Sequence, residues 1–301
     1  MRFERLLQQY DYNIPPGLVA LKPASPRDSA KLLVYNKRTN KVSYSVFSKI
    51  ADYLPKNSVL VFNKTKVIPA RLMAKKETGG RIEIFYLKTI GPLIEVMVDR
   101  KIAIRSKVYL APKIFFTVEK QKDKYYYLKP SFPIALLPSV LNKYGLVPLP
   151  PYLKWSPLSQ KELKKQYQTI FAESAGSVAA PTASLHFTKK LLRQIQKTKI
   201  KIRFITLHVN LGTFAPLTEE NLTKNKLHSE YFEIDKKTAD FLNNEKKRGT
   251  MIIGVGTTVT RALESSTGKN GLLSKLNGAT DLFIREGYRF KFINGIVTNF
   301  H

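Results

Sequence analysis

The sequence predicts an α/β domain interrupted by an all-β insertion, and three observations carry that expectation. From residue 66 to about 129, short runs rich in Ile, Val, Phe and Tyr recur without a convincing helix between them. The stretch Val147-Pro148-Leu149-Pro150-Pro151-Tyr152 then reads as a rigid crossing, because proline fixes φ and withholds a backbone donor. After it, helix and strand periodicities alternate, as in a domain built on a largely parallel sheet.

Taken in order, β-like runs fall at 32–35, 42–47 and 58–62. The insertion supplies runs at 81–87, 93–98, 114–118 and 125–128, with turn residues at Thr78-Gly79-Gly80 and Gly91-Pro92. Short strands at that spacing suggest a small antiparallel barrel or sandwich. Ser159 and Glu162 have capping-box spacing at the head of a helix reaching about residue 172. A second helix is expected over 188–197, a strand over 201–211, and a helix over 235–248 ending at Gly249. An apolar strand at 251–255 feeds a helix beginning near Thr257. The expected domains are 1–65 with 153–301, discontinuous, and an inserted 66–152.

Composition narrows the function classes. The 301 residues are 43% hydrophobic and 11% aromatic, so a folded chain is expected. Lysine and arginine total 51 against 22 acids, a net charge of +29. A polyanion that neutralised them would release counterions, which makes nucleic acid the natural partner. The plainer alternative is that the lysines, spread along the whole chain, only cover solvated faces. There is no cysteine, which excludes disulfides, thiolate catalysis and Cys-ligated metal. No apolar run of about 20 residues occurs and the charged start lacks a signal-type apolar region, so a soluble cytoplasmic protein without membrane partners is expected.

Several residues have the chemistry of a site. In the 201–211 run, Ile202, Phe204, Thr206, His208 and Asn210 share one face that turns polar toward its end. Ligands of α/β sheets bind beyond the carboxyl ends of the strands. A histidine there can equally be a core residue satisfied by a neighbouring carbonyl. His186 follows the small residues from Ala179 to Ser184, just before a helix start, where exposed N–H groups favour anions. Gly254-Val255-Gly256-Thr257-Thr258 joins strand to helix as nucleotide-binding turns do, although it lacks the third glycine of GxGxxG and the P-loop lysine. Arg261 falls one turn after Thr257, on the same helical face. The four histidines show no HxxxH or HExxH spacing, so no metal site is expected.

In order along the chain stand Pro26-Arg27-Asp28-Ser29, Val67-Ile68-Pro69-Ala70-Arg71-Leu72, Lys76-Glu77-Thr78-Gly79-Gly80 and the proline-rich crossing. Tyr167-Gln168-Thr169, the stretch 178–188, Thr206-Leu207-His208-Val209 and Leu211-Gly212-Thr213-Phe214 follow. His228-Ser229-Glu230, Val255-Gly256-Thr257-Thr258, Thr280-Asp281-Leu282-Phe283-Ile284, Gly287-Tyr288-Arg289-Phe290 and Thr298-Asn299-Phe300-His301 complete the series. This ordered set, spanning nearly the whole chain, resembles the S-adenosylmethionine:tRNA ribosyltransferase-isomerases of queuosine biosynthesis. Ser184 and Asn210 stand where the family pattern has glycine, and Lys164 and Gln166 where it has an acid and an arginine. The family pattern runs on beyond Asn299-Phe300-His301 with a Leu-Pro-x-Ser-Thr-Leu-Leu-Met-Leu-Val-type segment, expected to add core contacts, that the present sequence does not carry.

The resemblance implies a barrel-like α/β main domain carrying an inserted antiparallel β-barrel. It implies transfer of the ribosyl moiety of S-adenosylmethionine, with isomerisation, to 7-aminomethyl-7-deazaguanine at the wobble position of a tRNA. The product is epoxyqueuosine-tRNA, adenine and methionine leave, and no cofactor beyond S-adenosylmethionine as co-substrate is implied. Against that chemistry, His186, His208 and His228 become candidates for the base at C5′. Asp281 or a second histidine would protonate adenine, and Glu230 would orient His228 or hold ribose hydroxyls. Arg27, Asp28, Thr182, Asn210, Thr257, Thr258 and Arg261 are candidates for binding S-adenosylmethionine, with Arg27 and Arg261 suited to its carboxylate or to a phosphate. Tyr288, Arg289 and His301 are candidates for the anticodon. The expected assembly is a monomer or weak homo-oligomer. Two other readings of the residues stay open: a non-catalytic RNA-binding protein, and a metal-dependent nuclease or phosphoesterase.

Overall fold

The structure, a computed structural model, describes residues 3–210 and 216–299. Helix α1 (Phe3–Tyr10) precedes a hairpin of β1 (Lys31–Asn36) and β2 (Lys41–Val46), then β3 (Ser58–Asn63) and β4 (Thr65–Val67). Strands β5 (Arg71–Lys76), β6 (Arg81–Ile90), β7 (Leu93–Val98), β8 (Lys107–Ala111), β9 (Ile114–Lys122) and β10 (Tyr125–Pro130) follow. Helix α2 (Leu137–Tyr144), β11 (Gly145–Leu146), α3 (Gln160–Gln166) and β12 (Ser174–Ser177) lead back. The remainder is α4 (Lys189–Gln196), β13 (Lys201–Leu207), α5 (Glu219–Lys224), β14 (Lys226–Glu233) and α6 (Lys236–Lys247). Then come β15 (Met251–Val255), α7 (Thr257–Ser266), β16 (Asn277–Leu282) and β17 (Gly295–Val297).

The strands from β5 to β10 pair in the order β5-β6-β7-β10-β9-β8, and β8 pairs back to β5. That last pairing closes an antiparallel barrel, which removes the exposed edges a sandwich would leave. The alternation of each strand points Leu72, Ile82, Ile84, Val96 and Phe116 inward, and Leu137 and Leu141 of α2 pack on the same core. Helix α2 was not anticipated: it is only eight residues long, with Pro138 within its first turn, and so short an element carries little periodicity.

The second sheet runs β16-β14-β13-β3-β15-β17, with β13, β3, β15 and β17 parallel and β14 and β16 antiparallel. Every residue of β3 is buried, as expected of a parallel strand covered on both faces. Val59 and Val61 face a core with Ala239 and Leu242 of α6 and Val259, Ala262 and Leu263 of α7. Leu60 and Phe62 face the other core, with Phe47, Ile50, Leu191 and Ile195. There Phe62 meets Phe187 edge-on at 4.8 Å, a favoured aromatic geometry. The observed architecture is the predicted fold class. Among the described residues no helix is long and apolar enough to cross a membrane.

Two expected elements end early, and the causes are visible. The helix begun by the Ser159–Glu162 capping box stops at Gln166 instead of near residue 172. Gln168 instead uses its amide on both backbone groups of Val67, at 3.0 and 2.7 Å. The strand expected over 201–211 ends at Leu207. Asn63 takes the Leu207 N–H on Oδ1 at 3.1 Å and donates from Nδ2 to the Leu207 carbonyl at 2.9 Å. A side chain there substitutes for the next rung of the ladder on the β3 side, while the His208 N–H still reaches the Tyr231 carbonyl of β14 at 2.9 Å.

Candidate active site

A cavity of about 310 Å³ opens at the carboxyl ends of the parallel strands, where α/β sheets bind ligands. Its walls come from segments that follow strands: Val209 after β13, Gly256, Thr257 and Thr258 after β15, and Thr298 and Asn299 after β17. The turn at Ala179–Ala183 and the crossing residues Pro150, Pro151 and Tyr152 face them. Gly256 has φ +96°, a conformation that disfavours any side chain. It lets the chain pass from β15 straight into α7, which has no side-chain cap. The first N–H groups of α7 are therefore uncapped beside the cavity, a natural partner for an anion.

The candidate histidines divide sharply. His208 lies at the end of β13, its N–H bonded to the Tyr231 carbonyl at 2.9 Å and its Nδ1 2.8 Å from the Thr65 hydroxyl. Gly176 lies under the ring: a Cβ there would sit 3.0 Å from three ring atoms. The Thr65 hydroxyl also reaches the Ser174 carbonyl, at 3.4 Å. If Thr65 donates to that carbonyl, it accepts from Nδ1–H and leaves Nε2 with a free lone pair. Burial lowers the His208 pKa below the ordinary imidazole value, against a smaller opposing pull from Glu233. His186 has its Nε2 3.1 Å from Asn299 Oδ1, and its ring packs 5.1 Å from that of Phe47. Burial lowers its pKa as well, offset by the Asn299 hydrogen bond. His228 is exposed on β14.

Glu230 does not pair with His228 as the sequence suggested. It is buried, and its carboxylate joins the Arg261 guanidinium and accepts the Asn210 N–H at 3.1 Å. Arg261 also donates to the carbonyls of Leu282, His228 and Thr280. This pair ties β14, β16 and α7 to the segment that carries His208, which occupies the guanidinium expected to meet a ligand carboxylate.

Thr182, Thr257 and Thr258 line the cavity, and Thr258 Oγ1 accepts a hydrogen bond from Asn63 Nδ2 at 3.3 Å. Arg27 donates to the carbonyls of Gln168 and Gln166 at 2.7 and 2.6 Å, and Asp28 accepts from the Thr188 hydroxyl at 2.7 Å. These two residues fasten the chain before β1 to the surroundings of His186. Asp281 pairs with Lys226 at 2.7 Å, and that hydrogen bond lowers its pKa, so it stays ionised without a proton to give. Tyr288 donates to Glu264 at 3.1 Å, and burial with that carboxylate raises its pKa to about 12. Arg289 is exposed. His301 and the 211–214 motif lie outside the described residues. Among the described residues no group of three or more His, Asp or Glu could hold a metal ion.

Sequence reasoning missed Asn63, Thr65, Gly176 and Asn299 as site residues. Asn299 stood within a quoted motif; the other three carry no motif of their own. Ser184, at a glycine position of the family pattern, places a fully buried hydroxyl without a hydrogen-bond partner among the described residues. Ser184→Ala is therefore expected to raise stability by about 1 kcal/mol, read as a higher midpoint in thermal unfolding. A lower midpoint would show that the hydroxyl is satisfied.

A family model described as queuosine biosynthesis protein matches residues 7–301. The S-adenosylmethionine:tRNA ribosyltransferase-isomerase of Sulfurihydrogenibium sp. (strain YO3AOP1) is 41% identical over 299 residues, covering 98% of this chain and 87% of that one. The enzyme of the same description from Fusobacterium nucleatum is 41% identical over 305 residues, covering 98% and 84%. Among solved structures, an S-adenosylmethionine tRNA ribosyltransferase from Thermotoga maritima aligns at 25% identity and a TM-score of 0.48, over 97% of this chain and 84% of that one.

Proposed function

The chain belongs to the queuosine biosynthesis protein family, and from that premise we propose that the cavity at the strand ends holds S-adenosylmethionine with His208 as the base. The enzyme uses S-adenosylmethionine as ribosyl donor to tRNA and isomerises the transferred group. We take the acceptor to be 7-aminomethyl-7-deazaguanine at the wobble position, the working form to be a monomer or weak homo-oligomer, and the compartment to be the cytoplasm. The reading 66–152 for the inserted domain belongs to the same proposal.

One observation carries the assignment: the His208 imidazole, hydrogen-bonded to Thr65 and lowered in pKa, immediately precedes Val209 of a cavity wall that also carries an uncapped helix start. The sulfonium acidifies the neighbouring C5′–H, and His208 Nε2 takes that proton. The methionine carboxylate meets the N–H groups at the start of α7. Thr182, Thr257 and Thr258 supply hydroxyls for the ribose and the methionine amine. Adenine takes up a proton as it leaves, on the side of His186 and Asn299.

A base must be unprotonated, and the lowered pKa keeps His208 neutral to a lower pH than an ordinary imidazole. Turnover is therefore expected to hold as pH falls through 6.5, the ordinary value, and to decline only below it. An acid limb centred above that value would contradict a half-buried base with a lowered pKa. The activity itself is tested by incubating the protein with precursor tRNA and S-adenosylmethionine. Adenine release with ribosyl transfer supports the reading; methyl transfer without adenine release overturns it.

A further inference from the structure

The β1–β2 hairpin carries a face that the chemistry above does not use. Side chains directly opposed in an antiparallel pair lie on the same face. The register places Lys31 opposite Val46, Leu33 opposite Tyr44, and Tyr35 opposite Val42. All six are exposed, Tyr44 at 79% and Tyr35 at 54%. The other face is partly covered, with Leu32 packed on the core beneath Phe62. An exposed apolar sheet face of this kind marks an interaction surface.

Charge identifies the occupant. Residues 31–46 include Lys31, Lys37, Arg38 and Lys41 and no acid. Tyrosines flanked only by cations suit unstacked bases and their phosphates. An apolar protein partner would not call for cations around the whole turn. Tyr35 donates from its hydroxyl to Asn40 Oδ1 at 2.7 Å, which holds that ring beside the turn bearing Lys37 and Arg38.

Position links the face to the site. The Phe47 N–H closes the base of the hairpin on the Ala30 carbonyl at 2.8 Å, and the Phe47 ring packs against His186. His186 in turn lies 3.1 Å from Asn299 Oδ1, and Asn299 lines the cavity, so the base of the hairpin reaches the cavity wall through Phe47 and His186. We propose that the exposed face of the hairpin is a single-stranded RNA platform, taking unstacked anticodon-loop bases of the tRNA substrate beside the cavity. The proposal rests on the reading of that cavity as the place where S-adenosylmethionine gives its ribosyl group to the tRNA.

The test measures binding of a labelled anticodon stem-loop RNA by the full chain, with the KM for S-adenosylmethionine and the thermal midpoint as controls. Tyr44→Ala is expected to weaken RNA binding about 5- to 150-fold, the range for losing one stacked base, with both controls unmoved. Tyr44→Trp is expected to retain binding. The double variant Lys37→Glu/Arg38→Glu is expected to flatten the salt dependence by about one to two phosphate contacts. Wild-type RNA affinity in Tyr44→Ala overturns the platform while leaving the adenine-release reading intact. So does an unchanged affinity accompanied by loss of self-association in sedimentation, which would make the face a contact between copies. A wild-type chain that binds no anticodon RNA at all overturns the underlying reading of the cavity.

Discussion

His208→Ala is expected to slow adenine release from S-adenosylmethionine by about 10²- to 10⁴-fold, the usual contribution of a positioned general base, while tRNA binding is retained. The geometry gives the reason. The ring is held from one side by the Thr65 hydroxyl and rests on the backbone at Gly176, so its free nitrogen needs no reorganisation before the proton moves. Two variants grade the effect. Thr65→Val preserves shape and removes the hydroxyl, and is expected to cost about tenfold by freeing the tautomer. Gly176→Ala drives a methyl into the ring and is expected to approach the loss seen for His208→Ala. Undiminished adenine release by His208→Ala, followed by quenched-flow chromatography, would remove His208 from the role of base.

The largest effect on stability is expected at the Glu230–Arg261 pair. Arg261→Ala takes the guanidinium from a Glu230 carboxylate that is 3% exposed, and breaking a buried pair from one side costs about 3–5 kcal/mol. It also strips donors from the carbonyls of Leu282, His228 and Thr280. Replacing both members, as Glu230→Leu/Arg261→Met, removes the stranded charge and is expected to restore much of the stability. Activity is expected to stay low in the double variant, because the Asn210 N–H loses the carboxylate that anchors the chain beyond His208. Denaturant unfolding of the three proteins checks this. An unchanged midpoint for Arg261→Ala would show that the pair contributes nothing net.

Local chemistry made much of the fold legible. The Ser159–Glu162 spacing announced a capping box that the structure forms. Alternation in the 201–207 run separates Ile202 and Phe204 from Ile205 and Leu207, and the two sets enter different cores. What sequence could not show are choices between partners distant along the chain. Glu230 had His228 two residues away, yet Arg261, brought alongside by α7, is the stronger partner for a buried carboxylate. The end of β13 was hidden because Asn63, 144 residues earlier, closes it with a side chain. The two threonines after Gly256 could be placed from their turn; Thr65 and Gly176 could not, since their effect depends on the packing of β4 and β12 against His208.

The most direct measurement of the central claim is a crystal structure of the chain with S-adenosylmethionine bound. The nucleoside is expected in the cavity between Thr182 and the start of α7, its carboxylate on the α7 N–H groups and its C5′ about 3–3.5 Å from His208 Nε2. S-adenosylmethionine bound outside that cavity, or with C5′ turned away from His208, would contradict that claim.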